Sequence, residues 1–367
     1  MNWLYLRTFR IATNQLPDHV PNMTASHNFF VAWLVGVTGL LSWLFVRIVM
    51  RNNVRFGLLA VPNERSSHVK PTPHGGGIGI VLGGSAAGLV LAQRGFFEVW
   101  VLLGLAGVIG FIGLVDDIRQ LSPRIRLAVQ AIACCCLLVS LMPLPPLTLI
   151  NGVALGGLGL TAILLVTAMW WLNLFNFMDG IDGLAGMQAV FMLLAGAGFV
   201  GILHPDALGS TVWCWMLAVA AASVGFLLFN WPPARIFMGD VGSTYLAFMI
   251  FALALATIGA GWLSYPSWLV LGASFIVDAT VTLLRRMRYR ERLSQAHRSH
   301  AYQRLSRRWG RHLPVTLLTT AINVLWLAPL AWFALIQPSF GWPITLAAYT
   351  PLVIGAIALG AGKPDNA

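Results

Sequence analysis

Long apolar runs separated by short polar segments extend along almost the whole chain. A hydrocarbon core about 30 Å thick needs roughly 20 apolar helical residues to cross it. Helices are expected because backbone groups in lipid must be satisfied internally. The pattern therefore predicts an all-α polytopic membrane protein with about eleven transmembrane helices. The predicted spans are 29–50, 77–93, 99–115, 127–143, 158–175, 185–203, 211–229, 243–262, 268–284, 315–336 and 343–361.

The composition supports this prediction and assigns almost the whole chain to one domain. Of the 367 residues, 58% are hydrophobic and only 10% are charged, whereas a soluble domain has about 25% charged residues. We expect a polar N-terminal extension over residues 1–28, a single transmembrane domain over 29–361 and a short tail over 362–367. The extension lacks the apolar region of a signal peptide, so the first span is expected to be an uncleaved signal anchor. A start at Met23 is an alternative.

The basic residues separate the loops into two sets and predict the orientation. All 23 lysines and arginines except Arg7, Arg10 and Arg94 fall in one set of alternate loops. Because cytoplasmic loops carry the excess of Lys and Arg, we expect this set and the C-terminus to be cytoplasmic and the N-terminus to lie outside. The net charge of +11 also suits anionic lipid headgroups. Nucleic-acid binding is not expected, since no soluble module carries the basic residues.

Acidic residues are rare, and several lie at the predicted cytoplasmic ends of spans. The chain has 12 Asp and Glu residues, five of which occur in three motifs: Asp116-Asp117, Asp179 with Asp182, and Asp240. Carboxylates beside a bilayer are costly, so those that occur there are usually functional. The orientation was predicted from Lys and Arg alone. The location of these five carboxylates on one predicted side of the membrane is therefore an independent observation. It predicts one site for a divalent cation and a phosphorylated ligand.

Structural roles are the alternative for each motif. The Asp-Asp pair would also fit a solvated helix end with arginine partners. Asn176 joins Asp179 and Asp182 in a three-residue repeat that includes glycines, and this pattern would also fit a polar loop packed between helices. Asp240 follows the helix-breaking Pro232-Pro233 and precedes a span, where it would cap the next helix. Capping would not exclude metal binding.

Two further motifs offer donors to phosphate groups. His297-Arg298-Ser299-His300 lies in the most basic loop and lacks the further ligands of a zinc site. Arg and His donors suit diphosphate oxygens instead. The arginines from 304 to 311 are interpreted as part of an amphipathic surface helix on anionic lipid. The segment 65–77 supplies hydroxyl, imidazole and ammonium groups beside a glycine run whose amides can cradle phosphate.

Two observations concern single residue types inside the spans. Asp278 lies within the ninth predicted span, where a carboxylate is either functional or paired with a neighbouring helix. The cysteines at 134–136 and 214 have neither metal-binding nor disulfide spacing. We therefore expect the cysteines to be ordinary apolar residues.

Taken together, the motifs from Arg65 to Tyr302 resemble the polyprenyl-phosphate N-acetylhexosamine-1-phosphate transferase family, glycosyltransferase family 4, in order, spacing and sidedness. The Arg-Ser-Ser-His segment at 65–68 is similar to the branch that initiates O-antigen and common antigen. The peptidoglycan branch usually has three consecutive histidines where this chain has His-Arg-Ser-His. His74 is a departure, since the initiating transferases more often show arginine there.

The resemblance implies a role for each matching residue. Asp116 and Asp117 match the catalytic pair proposed to handle the lipid phosphate, either as a base or by positioning a cation. Asn176 and Asp240 match the positions associated with Mg²⁺, with Mn²⁺ as the alternative ion. The expected substrate-binding residues are Lys70, Asp179, Asp182, Asn230, His297, Arg298 and His300.

The implied reaction transfers an N-acetylhexosamine-1-phosphate from a UDP-sugar to undecaprenyl phosphate and releases UMP. It would initiate O-antigen or related cell-envelope polysaccharide synthesis at the cytoplasmic face of the bacterial inner membrane. Membrane lipid is an expected partner, and a homo-oligomer is left open. The alternatives are the peptidoglycan lipid I-forming translocase, which has the same chemistry, and a cation-coupled transporter, whose acids would lie nearer the membrane midplane.

Overall fold

The computed structural model describes residues 23–60, 72–93, 97–149, 152–291 and 297–364. Short antiparallel pairs join β1 (Leu59–Ala60) to β2 (Thr72–Pro73) and β3 (Leu147–Thr148) to β4 (Ala154–Leu155). The helices in these ranges are α1 (Met23–Phe56), α2 (Gly77–Ala92), α3 (Phe97–Arg119), α4 (Pro123–Ser140), α5 (Gly157–Phe177), α6 (Leu184–Leu203), α7 (Thr211–Asn230), α8 (Asp240–Gly259), α9 (Tyr265–Leu271), α10 (Ala273–Arg288), α11 (Ala301–Trp309), α12 (Leu313–Ile322), α13 (Ala328–Ile336) and α14 (Gly341–Ala358).

Each predicted span coincides with a helix or a helix pair. Within the described ranges, 9 helices are long and apolar enough to cross a membrane, with α12 and α13 counted as one. The pair α9 and α10 is bent by 74° and gives a tenth span if it crosses as one unit. Helix α2 is apolar but has only 16 residues. The all-α, multi-pass architecture is therefore confirmed, while the full predicted count and the orientation of the termini stay predictions.

The local sequence explains where several helices begin and end. Ser122 accepts a hydrogen bond from the Ile125 amide at the start of α4, where proline occupies the first helical position. Ser210 caps α7 in the same way. Pro232-Pro233 follows the end of α7, as expected for residues that cannot continue a helix. These stops place polar connections at the ends of the apolar helices.

Helix α8 lies at the centre of the bundle, with its most apolar stretch enclosed by α2, α3, α5, α6 and α7. Glycines allow neighbouring helices to approach its first turn. A Cβ on Gly77 would lie 2.2 Å from the Gly242 Cα, and a Cβ on Gly113 would lie 2.6 Å from the Asp240 carbonyl oxygen. This packing holds the first residue of α8 against α3, which carries Asp116 and Asp117.

Replacing Gly113 with alanine is expected to destabilise the fold by about 1–3 kcal/mol, because the added methyl group overpacks the contact with α8. Gly107→Ala is a matched control on the same helix, since its added Cβ would meet nothing within 4 Å. The control should be neutral or slightly stabilising, as alanine favours a helix over glycine. Thermal unfolding in detergent measures both effects. Equal melting temperatures for the two variants would contradict the packing argument.

Residues 361 and 362 contact α10 and the segment directly before α11. Arg285 donates a hydrogen bond to the Ala361 carbonyl at 2.7 Å. The Gly362 amide donates to the Ser299 carbonyl at 2.8 Å. These contacts hold the start of α11 in place beside the helix bundle.

Candidate active site

A cavity of about 270 Å³ lies where α3, α5 and α7 end and α8 begins. Its wall contains residues from all three acidic motifs, so the structure brings together segments that are distant in sequence. The predicted site residues in the wall are Asp117, Asn176, Asp179, Asp182, Asn230 and Asp240. The remaining wall residues are His74, Gly180, Ile181, Phe237, Met238, Gly239 and His312.

Asp117 joins the end of α3 to the start of α8. Its two carboxylate oxygens accept hydrogen bonds from the Asp240 amide at 2.9 Å and the Val241 amide at 3.1 Å. These amides are orphan donors at a helix N-terminus, where a negative charge is favoured. The preceding Gly239 has φ of +79° and leaves room for the Asp117 side chain. Thus Asp117 caps α8, and the capping role considered for Asp240 is wrong.

The Asp240 carboxylate instead faces two donors from other helices. Its Oδ1 accepts from Asn176 Nδ2 at 2.9 Å, and its Oδ2 accepts from Arg126 Nη1 at 2.7 Å. The same Arg126 nitrogen contacts Asp116 Oδ2 at 2.5 Å. Asp116 is buried beside the cavity and does not belong to its wall, so it is not solvated, although it has the arginine partner that the structural alternative expected. Arg126 therefore bridges the first and third motifs.

Asp182 and Asn230 connect two loops of the cavity wall, the loop after α5 and the loop after α7. Asp182 Oδ2 accepts from the Ala234 amide at 3.0 Å, and its Oδ1 lies 3.0 Å from His312 Nδ1. Asn230 accepts from the Gly183 amide and donates to the Ile236 carbonyl, both at 2.9 Å. These side chains tie the loop after α5 to the loop after α7.

Asp179 differs from the other acids because its carboxylate accepts no hydrogen bond from any residue that the structure describes. Burial raises its pKa well above the usual value, and the nearby carboxylates of Asp240, Asp117 and Asp182 raise it further. A carboxylate surrounded by like charges is ready to bind either a proton or a cation.

Comparison with known proteins decides the family. Residues 99–258 match the pattern of glycosyl transferase family 4. The chain is 30% identical to a decaprenyl-phosphate N-acetylglucosaminephosphotransferase of Mycobacterium leprae, over 89% of this chain and 87% of that protein. The chain belongs to glycosyl transferase family 4. The resemblance to polyprenyl-phosphate N-acetylhexosamine-1-phosphate transferases that the sequence motifs indicated is thereby confirmed.

Two other relatives show the breadth of the family. A probable undecaprenyl-phosphate N-acetylglucosaminyl 1-phosphate transferase of Bacillus subtilis is 29% identical over 75% of this chain and 76% of that protein. A phospho-N-acetylmuramoyl-pentapeptide-transferase of Rhodopseudomonas palustris is 31% identical over 59% of this chain and 66% of that protein. The matched family region of this transferase holds every predicted site residue from Asp116 to Asp240.

The histidine motif lies away from the cavity wall. His300 is buried, with its Nδ1 3.5 Å from Asp278 Oδ1. His297 Nδ1 lies 3.0 Å from the Ser299 hydroxyl, and burial followed by the charges of His300 and Arg286 lowers the pKa of His297 to about 3. The structure therefore does not bring His297 and His300 to the cavity that the acids share.

The other two predicted binding residues have separate outcomes. Arg298 is half-buried and lies outside the cavity wall, and its carbonyl accepts a hydrogen bond from Arg307 at 2.6 Å. Lys70 lies outside the described residues. The expected roles of both residues stay predictions.

Sequence reasoning missed three residues that shape the site. His312 lies in the wall beside Asp182, although 130 residues separate them. Arg126 is one of the arginines that could pair with Asp116-Asp117, but no local pattern indicated that it also contacts Asp240 directly. His74, noted as a departure from the family, lies 4.0 Å from Asp117. No local pattern marks His312, since its partner comes from a distant loop.

The residues of the wall suit a magnesium or manganese ion in their chemistry. Carboxylate and amide oxygens are the ligands that such hard cations prefer. Asn176 uses its amide nitrogen for Asp240 and Ser243, which leaves its carbonyl oxygen for a cation. Asp179 supplies an unsatisfied carboxylate. In the described ranges, no three His, Cys, Asp or Glu side chains already stand close enough to hold an ion. The donor types are nevertheless those that Mg²⁺ prefers.

The raised pKa of Asp179 predicts that stability without Mg²⁺ falls as pH rises, whereas the stabilisation gained from Mg²⁺ grows as pH rises. Its protonated form stabilises the fold fully below the ordinary pKa near about 4, and this contribution is lost as pH rises through the raised value. In EDTA, the melting temperature should therefore be lower at pH 8 than at pH 5.5. Mg²⁺ should raise it more at pH 8, because the cation competes with the proton. Asp179→Asn should reduce both effects, with the remainder coming from the neighbouring carboxylates of Asp117 and Asp240 in the same wall. An unchanged Mg²⁺ response in this variant would contradict the assignment.

Proposed function

We propose that this transferase moves an N-acetylhexosamine-1-phosphate from a UDP-sugar to undecaprenyl phosphate and releases UMP. The observation that carries the proposal is the cavity itself: four carboxylates and two carboxamides from distant segments meet at one end of an apolar helix bundle. Such a site would suit a reaction between a soluble nucleotide and a lipid-bound acceptor. The names of the relatives, which include undecaprenyl- and decaprenyl-phosphate transferases, support the acceptor class.

The chemical difficulty of this reaction is that one anion must approach another. A phosphate monoester has its second pKa near ~6, so the lipid phosphate is largely dianionic at neutral pH and needs little help from a base. The main task of the protein is therefore to place and neutralise charge. Mg²⁺ held by Asp240, Asn176 and Asp179 would supply positive charge at the nucleotide diphosphate and at the leaving UMP.

The residues of the acidic pair have different environments and therefore different proposed roles. Both oxygens of Asp117 are held by the amides of α8, so we assign it to fixing Asp240 rather than to removing a proton. Asp116 holds Arg126, whose guanidinium offers several donors in a planar fork. We assign Arg126 to the acceptor phosphate, which would reach the cavity from the membrane side.

The opposite wall is assigned to the nucleotide. Asp182 and His312 lie on loops and Asn230 ends α7, and the hydrogen bonds described above hold their side chains in place. Their polar groups would orient a base and a ribose. An apolar cavity of about 100 Å³ between α5, α8 and the bent pair is lined by residues such as Trp171, Phe251 and Ile276, and it would accept part of the isoprenoid. Helix α5 thus contributes to both cavities.

The decisive experiment is a donor panel with the purified protein in nanodiscs. UDP-N-acetylhexosamines and UDP-N-acetylmuramoyl-pentapeptide are each supplied with radiolabelled undecaprenyl phosphate and Mg²⁺. We expect UMP and a lipid diphosphate-sugar in equal amounts from an N-acetylhexosamine donor, and no product in EDTA. Product from the pentapeptide donor alone would support the peptidoglycan alternative. Failure of every donor, together with cation-dependent uptake in proteoliposomes, would favour a transporter.

A further inference from the structure

Asp278 is a buried carboxylate on α10, the second helix of the bent pair, and it lies outside the cavity wall. It accepts hydrogen bonds from the Ala301 amide at 2.8 Å and the Tyr302 amide at 2.9 Å. The Thr282 hydroxyl donates to it as well, at 3.1 Å. Ala301 and Tyr302 are the first residues of α11, so Asp278 satisfies the orphan amides of a helix from a different part of the chain.

This contact fixes both the position and the direction of α11. A carboxylate that accepts two successive N-terminal amides lies on the helix axis and complements the helix dipole. The Gly362 amide holds Ser299 just before the same helix. Helix α11 is thereby attached to α10 at its first turn, and its side chains take defined places beside α5.

Tyr302 connects α11 to the segment that carries Asp179. Its side chain is buried, and its hydroxyl donates to the Phe177 carbonyl at 2.9 Å, at the end of α5. A Cβ on Gly180 would lie 2.1 Å from that hydroxyl. The phenol therefore touches the residues on both sides of the short turn from Phe177 to Gly180, and Asp179 lies inside this turn.

The turn needs such a support because of the charges around it. Asp179 faces the carboxylates of Asp117, Asp182 and Asp240, and it accepts no hydrogen bond from the described residues. Like charges at short range repel, and a flexible turn would relieve that repulsion by moving away from the cavity. Tyr302 occupies the space into which Gly180 would move.

We propose that Asp278 and Tyr302 are positioning residues for the transferase reaction, Asp278 by holding α11 and Tyr302 by holding the Phe177–Gly180 turn that presents Asp179. The proposal rests on the function proposed above. Neither residue touches the cavity, so both act through Asp179.

Tyr302→Phe tests the proposal because it removes only the hydroxyl. We expect amide hydrogen exchange in residues 178–184 to become about tenfold faster, since the Phe177 carbonyl loses its partner. With the proposed substrates, kcat should fall about tenfold while KM for the lipid acceptor stays constant, because the acceptor is bound elsewhere. The matched control is Tyr349→Phe, which removes a hydroxyl that donates to the Leu269 carbonyl at 3.0 Å on another helix. The control should leave both measurements unchanged.

Asp278→Asn provides the second arm, since an amide cannot accept both helix amides as a carboxylate does. Exchange should increase in residues 301–304 as well as in 178–184. Equal exchange in residues 178–184 for Tyr302→Phe and Tyr349→Phe would overturn the proposal, whatever the activities. If the wild-type protein made no lipid product from any donor while exchange responded as expected, the proposed function would fail and the positioning contact would stand.

Discussion

Asp240→Ala is expected to lower kcat by about 10³-fold or more, as removal of one strong electrostatic contributor does in other enzymes. Asp240 is the first residue of α8 and faces both Asn176 and Arg126. Its carboxylate would bind the proposed Mg²⁺, and it also accepts the hydrogen bond from Arg126. Without it, Arg126 keeps only Asp116, and the proposed cation loses a charged ligand.

Steady-state kinetics over a Mg²⁺ titration would measure this effect. Asp240→Asn separates charge from size, because the amide keeps the shape of the side chain, and it should lose nearly as much activity. Asp206→Asn is a suitable control, since this aspartate is exposed in the turn after α6, at the far end of that helix. Both Asp240 variants should unfold near the wild-type temperature, because Asp117 holds the start of α8 through backbone amides. Wild-type turnover in Asp240→Ala would exclude the metal assignment.

Much of the fold follows from the apolar runs because hydrophobic length is a strong local signal. The apolar run at 243–262 predicted α8, for example. The local sequence does not show that α8, rather than another helix, lies at the centre of the bundle. The bent span is different. The sequence predicted one helix over 268–284, whereas the structure has α9 and α10 separated at Gly272. No proline lies at the break between α9 and α10. The apolar pattern is continuous across Gly272 and therefore does not predict the bend.

The acidic part of the site was predictable because carboxylates are costly beside a membrane and so stand out in an apolar chain. The three-residue repeat from Asn176 to Asp182 does not place these residues on one face of a helix. Helix α5 ends at Phe177, and Asp179 and Asp182 lie on the connection before Gly183, whose φ is +75°. The spacing therefore reflects a turn that folds back over the cavity. His312 carries no such signal, since its role depends on a contact across 130 residues.

The role of the histidine motif was the harder inference. Its composition indicated diphosphate binding. In the structure, this segment leads directly into α11, and His300 contacts Asp278. Composition shows which donors a loop carries, whereas the direction of each side chain depends on how the loop packs. The buried Asp278, for which the sequence allowed either a function or a pairing, contacts this loop directly.

Arg126→Met is expected to reduce kcat/KM for the lipid acceptor about 100-fold, since a hydrogen bond to a charged group contributes roughly 1.5–3 kcal/mol. The guanidinium contacts Asp116 and Asp240 at once, so its loss leaves two neighbouring carboxylates without their shared cation. The same substitution frees Asp240 Oδ2 from its donor. The variant should therefore reach its reduced maximal rate at a lower Mg²⁺ concentration than the wild type.

Two variants make this prediction specific. Arg126→Lys keeps the charge but not the planar fork, so it should recover only part of the activity. Arg124→Met removes an exposed arginine two residues earlier on α4 and should leave the kinetics unchanged. If Arg126→Met retained wild-type kcat/KM, the guanidinium would serve only to pair Asp116 with Asp240. A higher Mg²⁺ requirement in that variant would show that Arg126 assists the cation rather than competing with it for Asp240.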